Sequence, residues 1–227
     1  MIEPPLFCPS CQAPIINIDI HYYCTNPNCP AQVKEKILHF VSKNAMDVQG
    51  LGENIIETLV KRGLLHNVAD LYTLEDPKLR VLLRKFPGFG DRKIYEITKG
   101  IKASKKQPFR RLLNALGIPH IGIKTAQDIT EFLKTEKADS LTKIQSLLTD
   151  PEKMDTLFGV GEKIIITLQN FFSNAQTQAL LEQLQSYGLN FSAVDTFEGK
   201  KGTSGSFSLT GRFPFPKEQI IEVLEKL

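Results

Sequence analysis

No run of about 18 consecutive apolar residues occurs anywhere in the 227-residue sequence, so nothing in it has the pattern of a membrane-spanning helix. The opening residues MIEPPLFCPSC lack both the basic and the apolar segment of a secretory signal, so the cytoplasm is the expected location and no membrane partner is expected. Cysteine is absent after Cys29, which is not how a secreted, disulfide-stapled fold distributes its thiols. A dominant charge sign is missing too. The 28 Lys and Arg against 25 Asp and Glu leave +3 and a pI near 8.6, compatible with a polyanionic partner but too weak to establish one. What remains, with 41% apolar residues, is the composition of a soluble globular protein large enough for one or two packed domains.

Composition divides the chain into a Cys/Pro/Asn-rich start (1–30), a helix-patterned bulk (31–197), a Gly/Ser/Lys linker (198–205) and a short tail (206–227). In the bulk, AQVKEKILHFV, ENIIETLVKRG, DRKIYEITKGIKASK, IKTAQDITEFL, EKIIITLQNFF and TQALLEQLQSYG repeat apolar residues at i, i+3, i+4 and i+7, as amphipathic helices do. Gly63, Gly88, Gly117, Pro119 and Gly188 punctuate them closely, which predicts tight connections and a mainly α array. In the tail, SFSLTG reads as a strand ending at Gly211 and FPKEQIIEVLEKL as a helix with Pro216 near its start. One strand and one helix do not make a domain, so the chain is expected to be a fragment of a longer protein.

The four cysteines form two short turns, Cys8-x2-Cys11 and Cys24-x4-Cys29, with twelve residues between them. Each turn offers two thiolates to one point, and the intervening loop can double back to complete a tetrahedron, which is the spacing of a structural zinc site. Four protein ligands leave no position for water or substrate, so one Zn2+ per chain is expected to hold a small subdomain together rather than to catalyse. Two disulfides are the alternative for these residues. His21, three before Cys24, is the one neighbouring competitor and fits a loop residue better than a ligand.

A second pattern repeats along the bulk. With Gly52, Gly90, Gly122 and Gly161 as position zero, 38, 32 and 39 residues apart, the preceding residue is Leu51, Phe89, Ile121 or Val160. Position +4 is Ile56, Ile94, Ala126 or Ile165, and +7 is Leu59, Ile97, Ile129 or Leu168. Position +2 is polar or basic (Asn54, Arg92, Lys124, Lys163), with Lys93 beside Arg92; position −2 is Gly50, Gly88, His120 or Gly159. Such a period marks a supersecondary unit too small to bury its apolar face alone. Each Gly-apolar-Gly turn leads into a helix whose first N–H groups have no intrahelical acceptor. Those donors, the positive end of the helix dipole and the +2 residue together suit a phosphate.

A dinucleotide fingerprint would need a third glycine and a preceding strand, and a Walker A loop would need G-K-[ST]; both are missing. Glycines that merely connect packed helices are the remaining alternative, weakened by four repeats in one register. The stretch KGIKASKKQPFRR (99–111) adds six Lys/Arg and no acid, which is either a solvated helix end or a phosphate-contacting patch beside the second hairpin.

This is the helix-hairpin-helix pattern, similar to that of many proteins that bind the duplex backbone without reading sequence. From CPSCQAP and CTNPNCPAQVKEKILHFVSKNAMDVQGLGENIIETLVKRGLL, through KFPGFG and ASKKQPFRRLLNALGIPHIG, to FGVGEKI and SFSLTGRF, the chain resembles the C-terminal part of bacterial NAD-dependent DNA ligases. The resemblance implies, in order, a four-cysteine zinc finger (1–30), four helix-hairpin-helix motifs packed as two pairs (31–197), a linker (198–205) and a truncated α/β BRCT-like segment (206–227). A His before the apolar-Gly pair, as at His120, is usual in that family's third hairpin.

The resemblance also implies an activity for the parent polypeptide. It would seal nicks in replication and repair, using NAD and Mg2+ in a catalytic core outside this chain. The Asp-Gly dipeptide of the family's adenylation motif occurs nowhere here, so no catalytic or NAD-binding residue is expected and the chain alone should not ligate. Its expected partner is nicked double-stranded DNA, held as a monomer through Gly50, Gly52, Asn54, Gly88, Gly90, Arg92, Lys93, His120, Gly122, Lys124, Gly159, Gly161 and Lys163. A free-standing, non-enzymatic zinc-finger and hairpin protein that binds DNA or scaffolds repair is the alternative.

Overall fold

The structure is a computed structural model that describes residues 5–18, 20–157 and 160–194. Gly159, the linker (198–205) and the BRCT-like segment (206–227) lie outside the described residues. By its contacts the chain divides into Met1–Val194 and Asp195–Leu227, and every described residue belongs to the first unit.

That unit opens with two short antiparallel strands, β1 (Ile15–Ile18) and β2 (His21–Cys24), registered from Ile15 opposite Cys24 to Ile18 opposite His21. Eleven helices follow among the described residues. They are α1 (Pro30–Val41), α2 (Glu53–Lys61), α3 (Asp70–Thr73), α4 (Pro77–Leu83), α5 (Asp91–Ser104) and α6 (Phe109–Ala115), then α7 (Ile123–Thr135), α8 (Leu141–Thr149), α9 (Pro151–Met154), α10 (Glu162–Ser173) and α11 (Ala175–Ser186). The fold is mainly α, with the small sheet at the cysteine-bearing end.

The repeated register explains the packing. The apolar residue before each register glycine (Leu51, Phe89, Ile121, Val160) is buried, as are the +7 residues Leu59, Ile97, Ile129 and Leu168. The +4 residues Ile56, Ile94 and Ala126 are buried, and Ile165 is half-buried against the same core. Full burial of such a side chain contributes roughly 1.5–3 kcal/mol, so each turn-plus-helix is anchored by two or three residues to one continuous core.

Close backbone approach sets the seat of the first turn. Gly50 has φ +91°, and a Cβ there would come within 3.0 Å of the Ile97 amide nitrogen on α5. Farther along, α6 reaches back over the chain before that turn. Arg111 donates from Nε to the Ala45 carbonyl at 2.6 Å and from Nη2 to that of Lys43, and the Asn114 amide donates to the Asn44 carbonyl at 3.1 Å. The Asn114 carbonyl in turn lies 2.8 Å from His39 Nε2. Thr98 Oγ1 donates to the Ile94 carbonyl, and Ser104 Oγ donates to that of Ile101 and meets the Tyr72 hydroxyl at 3.2 Å, while the buried Arg80 Nε has no hydrogen-bond partner among the described residues.

Candidate metal centre and nucleic-acid interface

All four cysteine sulfurs lie within 4.8 Å of one another, with Cys8 and Cys29 buried and Cys11 and Cys24 half-buried. Two tight turns and one strand aim them. Cys8 opens a turn in which its N–H donates to the Ala13 carbonyl and its carbonyl accepts from Gln12, whose φ of 59° reverses the chain. Cys24 ends β2, and Cys29 follows an Asx turn in which Asn28 N–H donates to Asn26 Oδ1 at 2.9 Å. Cys29 then caps α1, with Pro30 at its first position, where a missing N–H costs nothing.

The pairs Cys8–Cys29 and Cys11–Cys24 stand 3.8 and 3.5 Å apart, far beyond the roughly 2.05 Å of a disulfide bond, and all four thiols are free. Zinc–thiolate bonds of about 2.3 Å in a tetrahedron place sulfurs about 3.8 Å apart, so the cluster has the size of a four-thiolate metal site. Burial works against ionising Cys29, but the N–H groups of Gln32 and Ala31 at the start of α1 outweigh it and bring the thiol down to about 6. The Asn26 N–H favours ionised Cys24, yet burial and the Cys11 and Cys8 sulfurs together push it up to about 12. Four such thiols cannot shed their protons side by side unless a cation replaces them, and soft sulfur donors select zinc over magnesium or calcium. His21 is no part of the cluster; it lies on β2 rather than in a loop, its ring edge-on to Tyr23.

The register glycines all occupy one structural position. Gly52, Gly90, Gly122 and Gly161 are the N-caps of α2, α5, α7 and α10, each in extended backbone. Position −2, two residues earlier, is left-handed where described: Gly50 (φ 91°), Gly88 (φ 84°) and His120 (φ 66°). Histidine is among the few non-glycine residues enriched in that region, which accounts for the exception in the third turn. The extended N-cap itself has no need of glycine, and a Cβ at any of the four would meet nothing within 4 Å.

Three other helices are capped by a side chain, whereas α1, α3, α6 and α8 are not. Asp76 accepts from the Lys78 N–H at α4, Asp150 from Glu152 and Lys153 at α9, and Asn174 from Gln176 and Thr177 at α11. At α2, α5, α7 and α10 the glycine N-cap offers the first turn no side-chain acceptor, and the space around a Cβ there is empty to 4 Å. Asn54, Arg92, Lys124 and Lys163 beside them are exposed, while Lys93 is half-buried.

Two cations at these ends were not apparent from the sequence. The Lys34 ammonium, on α1, lies 2.9 Å from Glu53 Oε1 at the start of α2, and that carboxylate holds it above its usual pKa. Arg84 Nε lies 2.7 Å from Asp91 Oδ1 at the start of α5. Both neutralise acids in first turns, and α7 has no first-turn acid. Of the six cations in 99–111, two are turned inward, Lys105 to Glu75 and Arg111 to carbonyls, leaving Lys99, Lys102, Lys106 and Arg110 exposed.

Fold and cluster thus define a mainly helical protein carrying a four-thiol metal site. By sequence it is a relative of the DNA ligases. The DNA ligase of Methylacidiphilum infernorum is 38% identical over 222 residues, which cover 97% of this chain and 31% of that protein. The DNA ligase of Caldicellulosiruptor saccharolyticus is 37% identical over 231 residues (100% and 32%), and that of Anoxybacillus flavithermus 36% over 204 (88% and 28%). The chain spans about a third of the length of the curated relatives it matches, consistent with the C-terminal part of such enzymes. No family model matches it. Among the described residues no helix is long and apolar enough to cross a membrane.

Proposed function

We propose that this chain is the DNA-gripping C-terminal portion of an NAD-dependent DNA ligase, holding nicked duplex through backbone contacts while a catalytic core in the same polypeptide seals the nick. The observation that carries this reading is the set of four glycine N-caps in one register, each without a capping side chain and, where described, each preceded two residues earlier by a left-handed turn. A phosphate at such an end accepts hydrogen bonds from backbone N–H groups and meets the positive end of the dipole, and a Cβ at the N-cap would occupy the space it needs. Lys124 and Lys163 add charge at the third and fourth ends, while Arg92, which also pairs with Glu96, adds it at the second. In this reading the four turns are helix-hairpin-helix motifs that position the duplex without reading its bases.

Cys8, Cys11, Cys24 and Cys29 would hold one structural Zn2+, whose chemistry there is to cross-link the residue 8–29 segment and fix the start of α1. NAD and Mg2+ belong to the catalytic core, and the reading places the work in the cytoplasm on replicating or damaged DNA. The test is binding of the 227-residue chain to nicked and intact duplex across a salt series. Binding at low salt that falls steeply as salt rises supports the grip. Absence of duplex binding at low salt, or binding insensitive to salt, overturns it.

A further inference from the structure

The repeats provide their own comparison for the outer face of α5. At +5, +9 and +12 from the register glycine, α5 carries Tyr95, Lys99 and Lys102, α7 carries Gln127, Glu131 and Lys134, and α10 carries Ile166, Asn170 and Ser173. In α2 the +5 and +9 residues are Glu57 and Lys61, which form an ion pair with each other. At 100° per residue, Arg92, Tyr95, Lys99 and Lys102 fall within about 80° of one another, along about 15 Å of helix.

All four are exposed, Tyr95 by 65%, and Lys106 is exposed just past the end of α5. Arg92 is steadied by Glu96, while Lys99, Lys102 and Lys106 have no ion-pair partner among the described residues. Like charges three and four apart cost a helix a few tenths of a kcal/mol each, so the face works against the helix that bears it. Exposed Lys and Arg side chains and a Tyr hydroxyl among them are donors suited to the phosphate oxygens of a duplex backbone.

We propose that the α5 face Arg92–Tyr95–Lys99–Lys102, continued by Lys106, is a second phosphodiester-binding surface, along which the duplex backbone runs after leaving the glycine-capped end at Gly90. This rests on the duplex-binding reading and adds to it a contact made by side chains rather than by helix ends. Among the described residues it sets the second turn apart, since α7 and α10 carry Glu131 and Asn170 where α5 carries Lys99.

The test compares the 227-residue chain with the triple variant K99A/K102A/K106A and with a control triple K36A/K43A/K78A, which removes three exposed lysines elsewhere. Each binds intact duplex and a single strand of equal length over a salt series. The expected result is a slope of log affinity against log salt shallower by about 2.7 for the α5 triple alone, equivalent to an affinity gap with wild type that narrows about fortyfold between 50 and 200 mM salt. An unchanged slope for the α5 triple, an equal loss in the control, or a loss confined to the single strand would each overturn the proposal while leaving the helix-end grip standing. Failure of the wild-type chain to bind duplex at low salt would overturn both.

Discussion

Gly100 on α5 lies so close to Gln49 that a Cβ at position 100 would stand 2.2 Å from the Gln49 carbonyl oxygen. The first turn therefore docks on the second repeat by backbone contact, with Gly50 against Ile97 one turn earlier on the same face of α5. Alanine in place of glycine inside a helix ordinarily stabilises by up to about 1 kcal/mol. Gly100→Ala is expected to do the reverse and lower unfolding stability by about 3 kcal/mol, because the added methyl meets backbone that cannot swing away. Urea unfolding checks the sign, and a stabilised variant would mean the two repeats do not meet this way in solution.

Gly161→Asp separates capping from binding. The site has room for the side chain, and aspartate caps α9 in this chain already, so folding stability should hold or rise by a few tenths of a kcal/mol. Duplex affinity should nevertheless fall at least tenfold, since a carboxylate then takes the N–H groups offered to phosphate. Paired thermal unfolding and duplex titration read both quantities; unaltered affinity would reduce the turn to a connector.

Metal analysis of chain purified under reducing conditions should find about one zinc per molecule, and Cys29→Ser should abolish it. Chelation should raise hydrogen exchange across residues 1–45 more than in α7 or α10, because Cys29 would hold the metal and is also the N-cap of α1. Uniform loosening of the whole chain would contradict so local a role.

The Tyr72 phenol is pushed up to about 12 by burial, with Glu75 adding to the rise and the Ser104 hydrogen bond opposing it. A group whose folded pKa is raised stabilises fully below its unfolded pKa near 10 and loses that contribution as pH climbs through its folded value. Wild-type stability should therefore fall between about pH 10 and 12 by on the order of 2 kcal/mol more than that of Tyr72→Phe. Unfolding of the two proteins side by side across that range measures the difference, and parallel curves would refute it.

The features legible in the sequence are those written in local spacing. Gly52, Gly90, Gly122 and Gly161 could be aligned by eye because one register governs turn, helix start and buried face together, and each is an N-cap. The cysteine cluster was legible for the same reason. The β1–β2 pairing between the cysteine turns was not, because IINIDIHYYC contains no alternation strict enough to announce strands; Ile16, Tyr22 and Tyr23 all remain substantially exposed. Nor could spacing divide the basic stretch, since the carbonyls that claim Arg111 lie 66 and 68 residues away. Which position of the turn requires a left-handed backbone was likewise hidden until the φ angles of Gly50, Gly88 and His120 located it.

The bonds from Arg111 and Asn114 to residues 43–45 also impose an order on synthesis. The four thiols are complete once Cys29 has emerged from the ribosome, so a metal can be captured before the helices that follow have been made. The segment behind the first turn bonds locally through its N–H groups, Ala45 and Asp47 to Ser42 and Met46 to Phe40. Its carbonyls must wait until α6 has been translated, and its seat against Gly100 until α5 has. The cysteine-bearing segment thus stands beside both an early fixed point and a late one, and a pause in translation before residue 111 would leave residues 43–50 unseated and open to the cell's proteases.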